Sequence, residues 1–208
     1  MATENKTEKY IGFYHHPLGK QILKKEIEMV EKKLTTCRNI VSVGCGPAFH
    51  ETGLQICHPD KNIVGIDCSV AMLKYAPPGI TVVQGNAQNL PVCNRRCDAL
   101  LFMTSLEFIT DDIQAIKEAY RVLKKRGVLL AVLLNTKSHY FKEEYNEKKS
   151  YIRENIIHVD SDQIKKHISS YFHIHNREYF LGIAQGKLFD TRNPLYAALE
   201  VITARKHG

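Results

Sequence analysis

The sequence predicts an α/β fold, a doubly wound sheet, and three observations predict it. Short apolar runs alternate with amphipathic stretches over most of the chain. The first run ends in a glycine turn, Gly44-Cys45-Gly46. The fifth, GVLLAVLLN (127–135), is apolar on both faces, as central parallel strands are. A chain of 208 residues with 44% hydrophobic and 25% charged side chains reads as one globular domain over 1–208. No apolar run approaches the ~18–20 residues that span a bilayer. The polar start MATENKTEKY is no secretory signal, so a cytoplasmic location is expected and no membrane partner.

The elements follow in order. Residues 18–34 read as a helix, with Leu23, Ile27, Val30 and Leu34 along one side. NIVSV (39–43) is a first buried strand, and Phe49 to Cys57 the helix after it. NIVGID (62–67) is a second strand, and Ser69 caps a helix running through Met72 to Tyr75. Pro77-Pro78-Gly79 breaks the chain before a third strand, ITVVQG (80–85). CDALLFM (97–103) is a fourth. Thr110-Asp111-Asp112 starts a helix with Ile113, Ile116, Tyr120 and Leu123 on one face. Lys124, Lys125 and Arg126 suit that helix's negative end, and Gly127 closes it. The rhythm then changes: 136–158 is polar and aromatic and reads as an insertion or cap. Asp160 opens a further helix with Gln163 in capping-box position and Ile164 and Ile168 inward. HIHNREYFL (173–181) and AALEVITAR (197–205) are two closing strands.

Cysteines and charge narrow the function. None of the six cysteines forms a CxxC, and without a signal peptide a reducing compartment is expected. Cys93 and Cys97 are the one close pair, suited at most to a soft metalloid. His173 and His175 lack a third ligand, so no metal site is expected. The net charge of +7 suits an anionic partner. Its lysines, however, are interleaved with glutamates, as in KKEIEMVEKK and FKEEYNEKK, the pattern of a solvated helix face.

The chemistry concentrates in Val41-Ser42-Val43-Gly44-Cys45-Gly46-Pro47-Ala48. A glycine turn between a buried strand and a helix lets backbone approach a ligand where a side chain would clash. Asp67 ends the second strand 21 residues past Gly46, where a carboxylate can accept both hydroxyls of a ribose. The dinucleotide fingerprint GxGxxG/A needs a small sixth residue, but Phe49 stands there. The pattern present is GxGxA. After the third strand, Gly85-Asn86-Ala87-Gln88-Asn89-Leu90-Pro91 offers an amide and a backbone N–H to the edge of an adenine.

From about Asn39 to Asn135 the chain resembles the small class I methyltransferases grouped as type 11. The resemblance rests on VSVGCGPA, IVGIDCSVAML, GNAQNLP and TSLEFITDDIQAIKEAYRVLKKRG. It implies a Rossmann-like, seven-stranded sheet, mostly parallel with an antiparallel C-terminal strand, and S-adenosylmethionine as cofactor. It further implies that Gly44, Cys45, Gly46 and Pro47 line the methionine end and Asp67 holds the ribose. Cys68 and Met72 would flank the adenine, Asn86 and Ala87 contact its edge, and Thr104 and Ser105 face the sulfonium. On the same partition, 1–38 is an N-terminal lid and helix, 39–135 the cofactor core, 136–158 the insertion, and 159–208 the closing helix and strands. Two positions depart from the family. Ser42 stands where an acid is usual, with Glu51 as a candidate substitute, and Asn86 replaces an aspartate. Replacing Ser42 with Asp is therefore expected to tighten cofactor binding.

Methyl transfer from a sulfonium is a direct displacement, so the protein chiefly aligns its reactants, and a base matters only for a protonated acceptor. Tyr14, His15 and His16, in the aromatic run Tyr10–His16, are the candidate bases. Tyr140, Phe141, Tyr145 and Tyr151 either wall the acceptor pocket or simply pack. A small-molecule acceptor is the leading expectation. An RNA or protein methyltransferase is the alternative enzyme, with nucleic acid the less favoured partner because no unbalanced basic patch is visible. A non-catalytic S-adenosylmethionine-binding protein is the alternative outside enzymes. The GxGxA loop and Phe49 predict that calorimetry will find S-adenosylmethionine or its demethylated product bound in preference to NAD. Tight NAD binding with no response to the sulfonium ligand would contradict the reading.

Overall fold

The computed structural model describes residues 2–148 and 150–206. Helices α1 (Ala2–His15) and α2 (Pro17–Lys33) lead into β1 (Asn39–Val43) and α3 (Phe49–Cys57). Then come β2 (Asn62–Asp67), α4 (Val70–Leu73), β3 (Thr81–Gln84), β4 (Cys97–Met103), α5 (Asp112–Val122) and β5 (Leu123–Leu134). The chain continues through α6 (His139–Asn146), α7 (Tyr151–Asn155), α8 (Ser161–Tyr171), β6 (Phe172–Ala184), β7 (Lys187–Phe189) and β8 (Ala197–Lys206). No helix among the described residues is long and apolar enough to cross a membrane.

One sheet holds the strands in the order β3-β2-β1-β4-β5-β8-β6-β7. The first five run parallel, while β8 is antiparallel to both β5 and β6. The doubly wound, mostly parallel sheet expected from the sequence is therefore present, with eight strands rather than seven. The extra strand is β7, folded onto β6 through a two-residue turn whose residues, Gln185 and Gly186, both have positive φ. That left-handed pair matches the twist of the flanking strands.

Side chains alternate across the central strands. Ala99 and Leu101 of β4, with Leu130 and Val132 of β5, face a layer built by Ile22, Met29 and Val30 of α2 and Leu54 of α3. Leu100 and Phe102, with Leu129 and Leu133, face Ile116 and Val122 of α5 and Ile168 of α8. Several boundaries differ from expectation. Residues 2–15 are a full helix, which the weak apolar spacing of that stretch does not announce. Helix α2 begins at Pro17, with His16 Nδ1 accepting the Leu18 amide as N-cap. Its inward face is Ile22, Glu26, Met29 and Val30, with the expected Leu34 buried and Ile27 packed against α3, while Leu23 is only half-buried. In α5 the inward residues are Ala115, Ile116 and Ala119, while Ile113 is exposed. That helix ends at Val122 because Leu123 already pairs with Cys97 in the sheet, and Arg126 rather than Gly127 takes the left-handed conformation. Asp160 caps α8 through the Asp162 amide, without a reciprocal bond from Gln163.

Polar ties fix the helix ends. The buried Lys61 ammonium donates to the carbonyls of Leu34, Thr35 and Cys37 at 3.0, 2.9 and 2.6 Å, neutralising the C-terminal end of α2. Glu200, buried in β8, accepts from Lys165 of α8 and Arg177 of β6. Phe102 has no exposed surface and fills the layer under α5. Phe102→Ala is expected to lower stability by about 3–5 kcal/mol, read as a shift in the urea midpoint at unchanged slope. A loss below about 1 kcal/mol would mean the layer collapses around the cavity.

Candidate functional site

The strand order reverses between β1 and β4, and the carboxyl ends of β1, β2, β4 and β5 meet along one edge. That is the crevice where open α/β sheets bind ligands. Gly44 leaves β1 with φ +73, and a Cβ there would lie 2.5 Å from Ser105 Cβ. Glycine is thus required twice, by conformation and by contact. The Ser105 hydroxyl donates to the Val43 carbonyl at 2.7 Å, locking the exit of β4 to that of β1. Gly46 also has positive φ, and its amide donates to Asp67 Oδ2 at 2.8 Å, while Ser69 N donates to Oδ1 at 2.8 Å. Each carboxylate oxygen keeps a lone pair for a further donor.

A cavity of about 880 Å³ opens beside this junction. Gly44, Asp67, Cys68, Met72, Asn86, Ala87, Thr104 and Ser105 line it, as does Tyr14. Cys45, Gly46 and Pro47 do not: all three are buried, and Cys45 Sγ packs where a Cβ on Gly65 would lie 2.7 Å away. Burial raises the Cys45 thiol above its ordinary range, so it stays a thiol. Asn86 spends one lone pair of Oδ1 on the Gln88 amide, closing its own turn. Glu118 and Arg121 of α5 hold the rest of that loop, Glu118 through the Leu90 amide and Arg121 through the carbonyls of Leu90 and Val92.

The other end of the cavity is aromatic. Helix α1 brings Tyr10, Phe13 and Tyr14, and the 136–158 segment brings Tyr140 and Tyr151. Tyr10 packs edge-on to Tyr14 at 5.2 Å and against Tyr151 at 5.2 Å. Phe141 and Tyr145 instead stack on one another, away from the lining. His15 and His16 are exposed and outside it, His15 beside Phe49 and His16 as the helix cap. Sequence reasoning missed the polar group at this end. Glu26 is buried and lines the cavity, and its Oε2 sits 2.8 Å from His50 Nε2. Burial opposes a charged His50, but the Glu26 hydrogen bond together with the charges of Glu26 and Glu51 outweighs it and raises the imidazole's pKa. The stretch KKEIEMVEKK is therefore not a wholly solvated face. The available signal was the position of Glu26, four residues past Ile22 and three before Met29 on the apolar stripe. His173 and His175 stand together on exposed β6, their rings 4.8 Å apart, and among the described residues no metal-holding group of three is present.

Two more acids lie behind the lining. Glu51 of α3 is buried close to Ser42, and Ser42 Oγ and Glu51 Oε2 both lack a hydrogen-bond partner. Burial pushes the Glu51 carboxyl up. This corrects the expectation for Ser42→Asp, because the new carboxylate would be buried beside Glu51 instead of meeting a ligand alone. Glu107, in the turn after β4, accepts the Leu134 amide on Oε1 and leaves Oε2 without a partner. Its own carbonyl takes the amides of Ile157 and His158, clamping the end of the insertion to the cavity wall.

Residues 41–131 match the family model for a methyltransferase domain. An uncharacterized protein of Methanocaldococcus jannaschii, MJ1123, is 31% identical over 130 residues, 62% of this chain and 59% of that protein. The uncharacterized methyltransferase YdaC of Bacillus subtilis is 30% identical over 99 residues, 45% of this chain and 55% of its own. A chloroplastic 2-methyl-6-phytyl-1,4-hydroquinone methyltransferase of Oryza sativa is 34% identical over 94 residues, 43% of this chain and 27% of its own. The match thus spans about a quarter to three-fifths of these relatives. Among solved structures, a SAM-dependent methyltransferase of Thermotoga maritima, described as a possible histamine N-methyltransferase, superposes with a TM-score of 0.78. It is 23% identical, with 98% of this chain and 97% of that one covered.

Burial pushes the Glu107 carboxyl up to about 7, against partial relief from the Leu134 amide. A folded-state value above the unfolded one means the native protein holds the extra proton between about pH 4.5 and 7, so stability falls as pH rises through that window. Glu107→Gln is expected to remove this component of the slope and to raise stability at pH 8. Denaturant titrations at pH 5 and pH 8 measure it, and an unchanged slope in the variant would show that Glu107 is ionised at no cost.

Proposed function

We propose that this chain is an S-adenosylmethionine-dependent methyltransferase acting on a small molecule, a reading supported by the methyltransferase-domain match over residues 41–131 and by the fold. The observation that carries the reading is one cavity with two unlike ends. The end at Gly44, Asp67, Met72 and Asn86 suits a nucleoside, and the end at Tyr10, Tyr14 and Tyr140 suits a compact, partly apolar acceptor. At about 880 Å³ the space lies near the top of the range for small-ligand pockets, room for a cofactor and a second small molecule together.

The residues fit the cofactor. Gly44, where a Cβ would collide with Ser105, presents bare backbone to the cavity, and Asp67 keeps lone pairs for ribose hydroxyls. Ile66 and Met72 supply apolar contact for the base, and Asn86 and Ala87 its polar edge. When bound, S-adenosylmethionine supplies an electrophilic methyl group on a sulfonium. The chain's own part is to orient acceptor and cofactor and to keep water out, which α1 and the 136–158 segment do by closing over the aromatic end. The relatives and neighbour named for hydroquinone and histamine methylation both act, by their names, on small molecules, which supports the acceptor class.

The test is transfer of label from S-adenosylmethionine to a small-molecule extract, against RNA and protein as the competing acceptors. Label entering RNA or protein alone would replace this reading. Asp67→Ala is expected to weaken cofactor binding by about 1–3 kcal/mol, since it unpairs ribose hydroxyls and frees the Gly46 amide. Ser42→Ala should cost less, because the Ser42 hydroxyl lies outside the cavity lining, close to Glu51. Equal or reversed losses by calorimetry would place the ribose elsewhere.

A further inference from the structure

We propose that the aromatic end of the cavity is an ammonium site, in which Glu26 holds a small amine acceptor and takes its proton. The inference rests on the methyltransferase reading and names its substrate class. Glu26 is 4% exposed, yet it forms part of the cavity wall. Its Oε2 is engaged by His50, and Oε1 is the oxygen assigned here to the ligand. The phenols of Tyr10 and Tyr14 on α1 and Tyr140 on α6 surround it, and the pKa of each is raised first by burial and further by the Glu26 charge. From α3 the facing groups are His50 and, behind it, Glu51.

No lysine or arginine pairs with Glu26 among the described residues. Lys6 and Lys9, which also line the cavity, are turned to Asn155 and Glu154. His50 is the one cationic partner at this end, while Glu26, Glu144 and, behind the ring, Glu51 are all acids, so carboxylates outnumber cations there and a ligand cation is favoured. Electron-rich ring faces add attraction for that cation. A phosphate or carboxylate ligand would meet the opposite field.

The site also serves the chemistry. An alkylammonium has no lone pair and cannot accept a methyl group. As its N–H bond breaks, the electron pair stays on nitrogen and the proton passes to Glu26 Oε1, leaving a neutral amine as nucleophile. His50 is a positioning residue, fixing the Glu26 rotamer through Oε2.

Calorimetry of the full chain with phenethylamine, tyramine and the neutral isostere 2-phenylethanol tests the site, with S-adenosylmethionine titrated in parallel. The amines are expected to bind at least tenfold tighter than the alcohol, and E26Q to abolish that preference. Equal binding of amine and alcohol by the wild-type protein, or a preference that survives in E26Q, would overturn the proposal. The wild-type comparison stands by itself if E26Q fails to fold. Intact S-adenosylmethionine binding without amine preference removes this inference alone, whereas absent S-adenosylmethionine binding removes the reading beneath it.

Discussion

The carboxylate of Asp67 joins the two loops on which the site depends. Oδ2 takes the Gly46 amide from the loop after β1, and Oδ1 takes the Ser69 amide that opens α4. Parallel strands share no turn, so their carboxyl-end loops have no covalent reason to keep a fixed geometry. Asp67 provides one between β1 and β2, and Ser105, bonded to the Val43 carbonyl, provides one between β1 and β4. Charge-assisted bonds to backbone amides are among the stronger ones available, and these are part-buried at the cavity wall. The cavity inherits its shape from those two ties.

What could be read from the sequence was whatever local chemistry dictates. The glycine loop was legible because Gly44 and Gly46 need left-handed backbone and close approach, and Asp67 because it ends a buried strand at a set distance. The eight cavity-lining residues expected for the cofactor, from Gly44 to Ser105, all follow from those strand ends. The Glu26–His50 pair was not legible. Its partners lie 24 residues apart on different helices, and Glu26 sits within a run of lysines and glutamates that resembles a solvated surface. Only the packing of α2 against α3 turns that position inward. The same holds for α1, whose apolar residues make a stripe too weak to announce a helix until Tyr10 and Tyr14 find their partners. Likewise, Leu123 left the helix expected of it because pairing with Cys97 outweighs local propensity.

The electrostatics of the interior run against the charge of the whole. The chain carries a net +7, yet the acids Asp67, Glu26 and Glu144 line the cavity, with Lys6 and Lys9 at its rim engaged elsewhere, and Glu51 and Glu107 are buried behind it. The surface lysines are screened within about 8–10 Å at physiological salt, whereas buried acids act through a lower dielectric. A ligand in the cavity therefore feels the acids first. Burial raises the pKa of both Glu51 and Glu107 behind the wall, while Asp67, Glu26 and Glu144 are the acids that line the space.

Such a field discriminates between the two nucleotide cofactors that a glycine loop of this kind could serve. A dinucleotide places its pyrophosphate at the N-terminus of the first crossover helix, where free amides and the helix dipole receive it. Here that place belongs to Glu51, in the first turn of α3, whose carboxyl already accepts its own backbone amide. A pyrophosphate would have to displace a buried acid and then lie beside it. Phe49, at the helix start, adds bulk where close approach is needed. S-Adenosylmethionine carries no phosphate and brings two cationic centres, a sulfonium and an ammonium. The acids at the cavity wall would favour such centres over a pyrophosphate. Glu51, buried close to Ser42, is the acid that stands behind the same glycine loop.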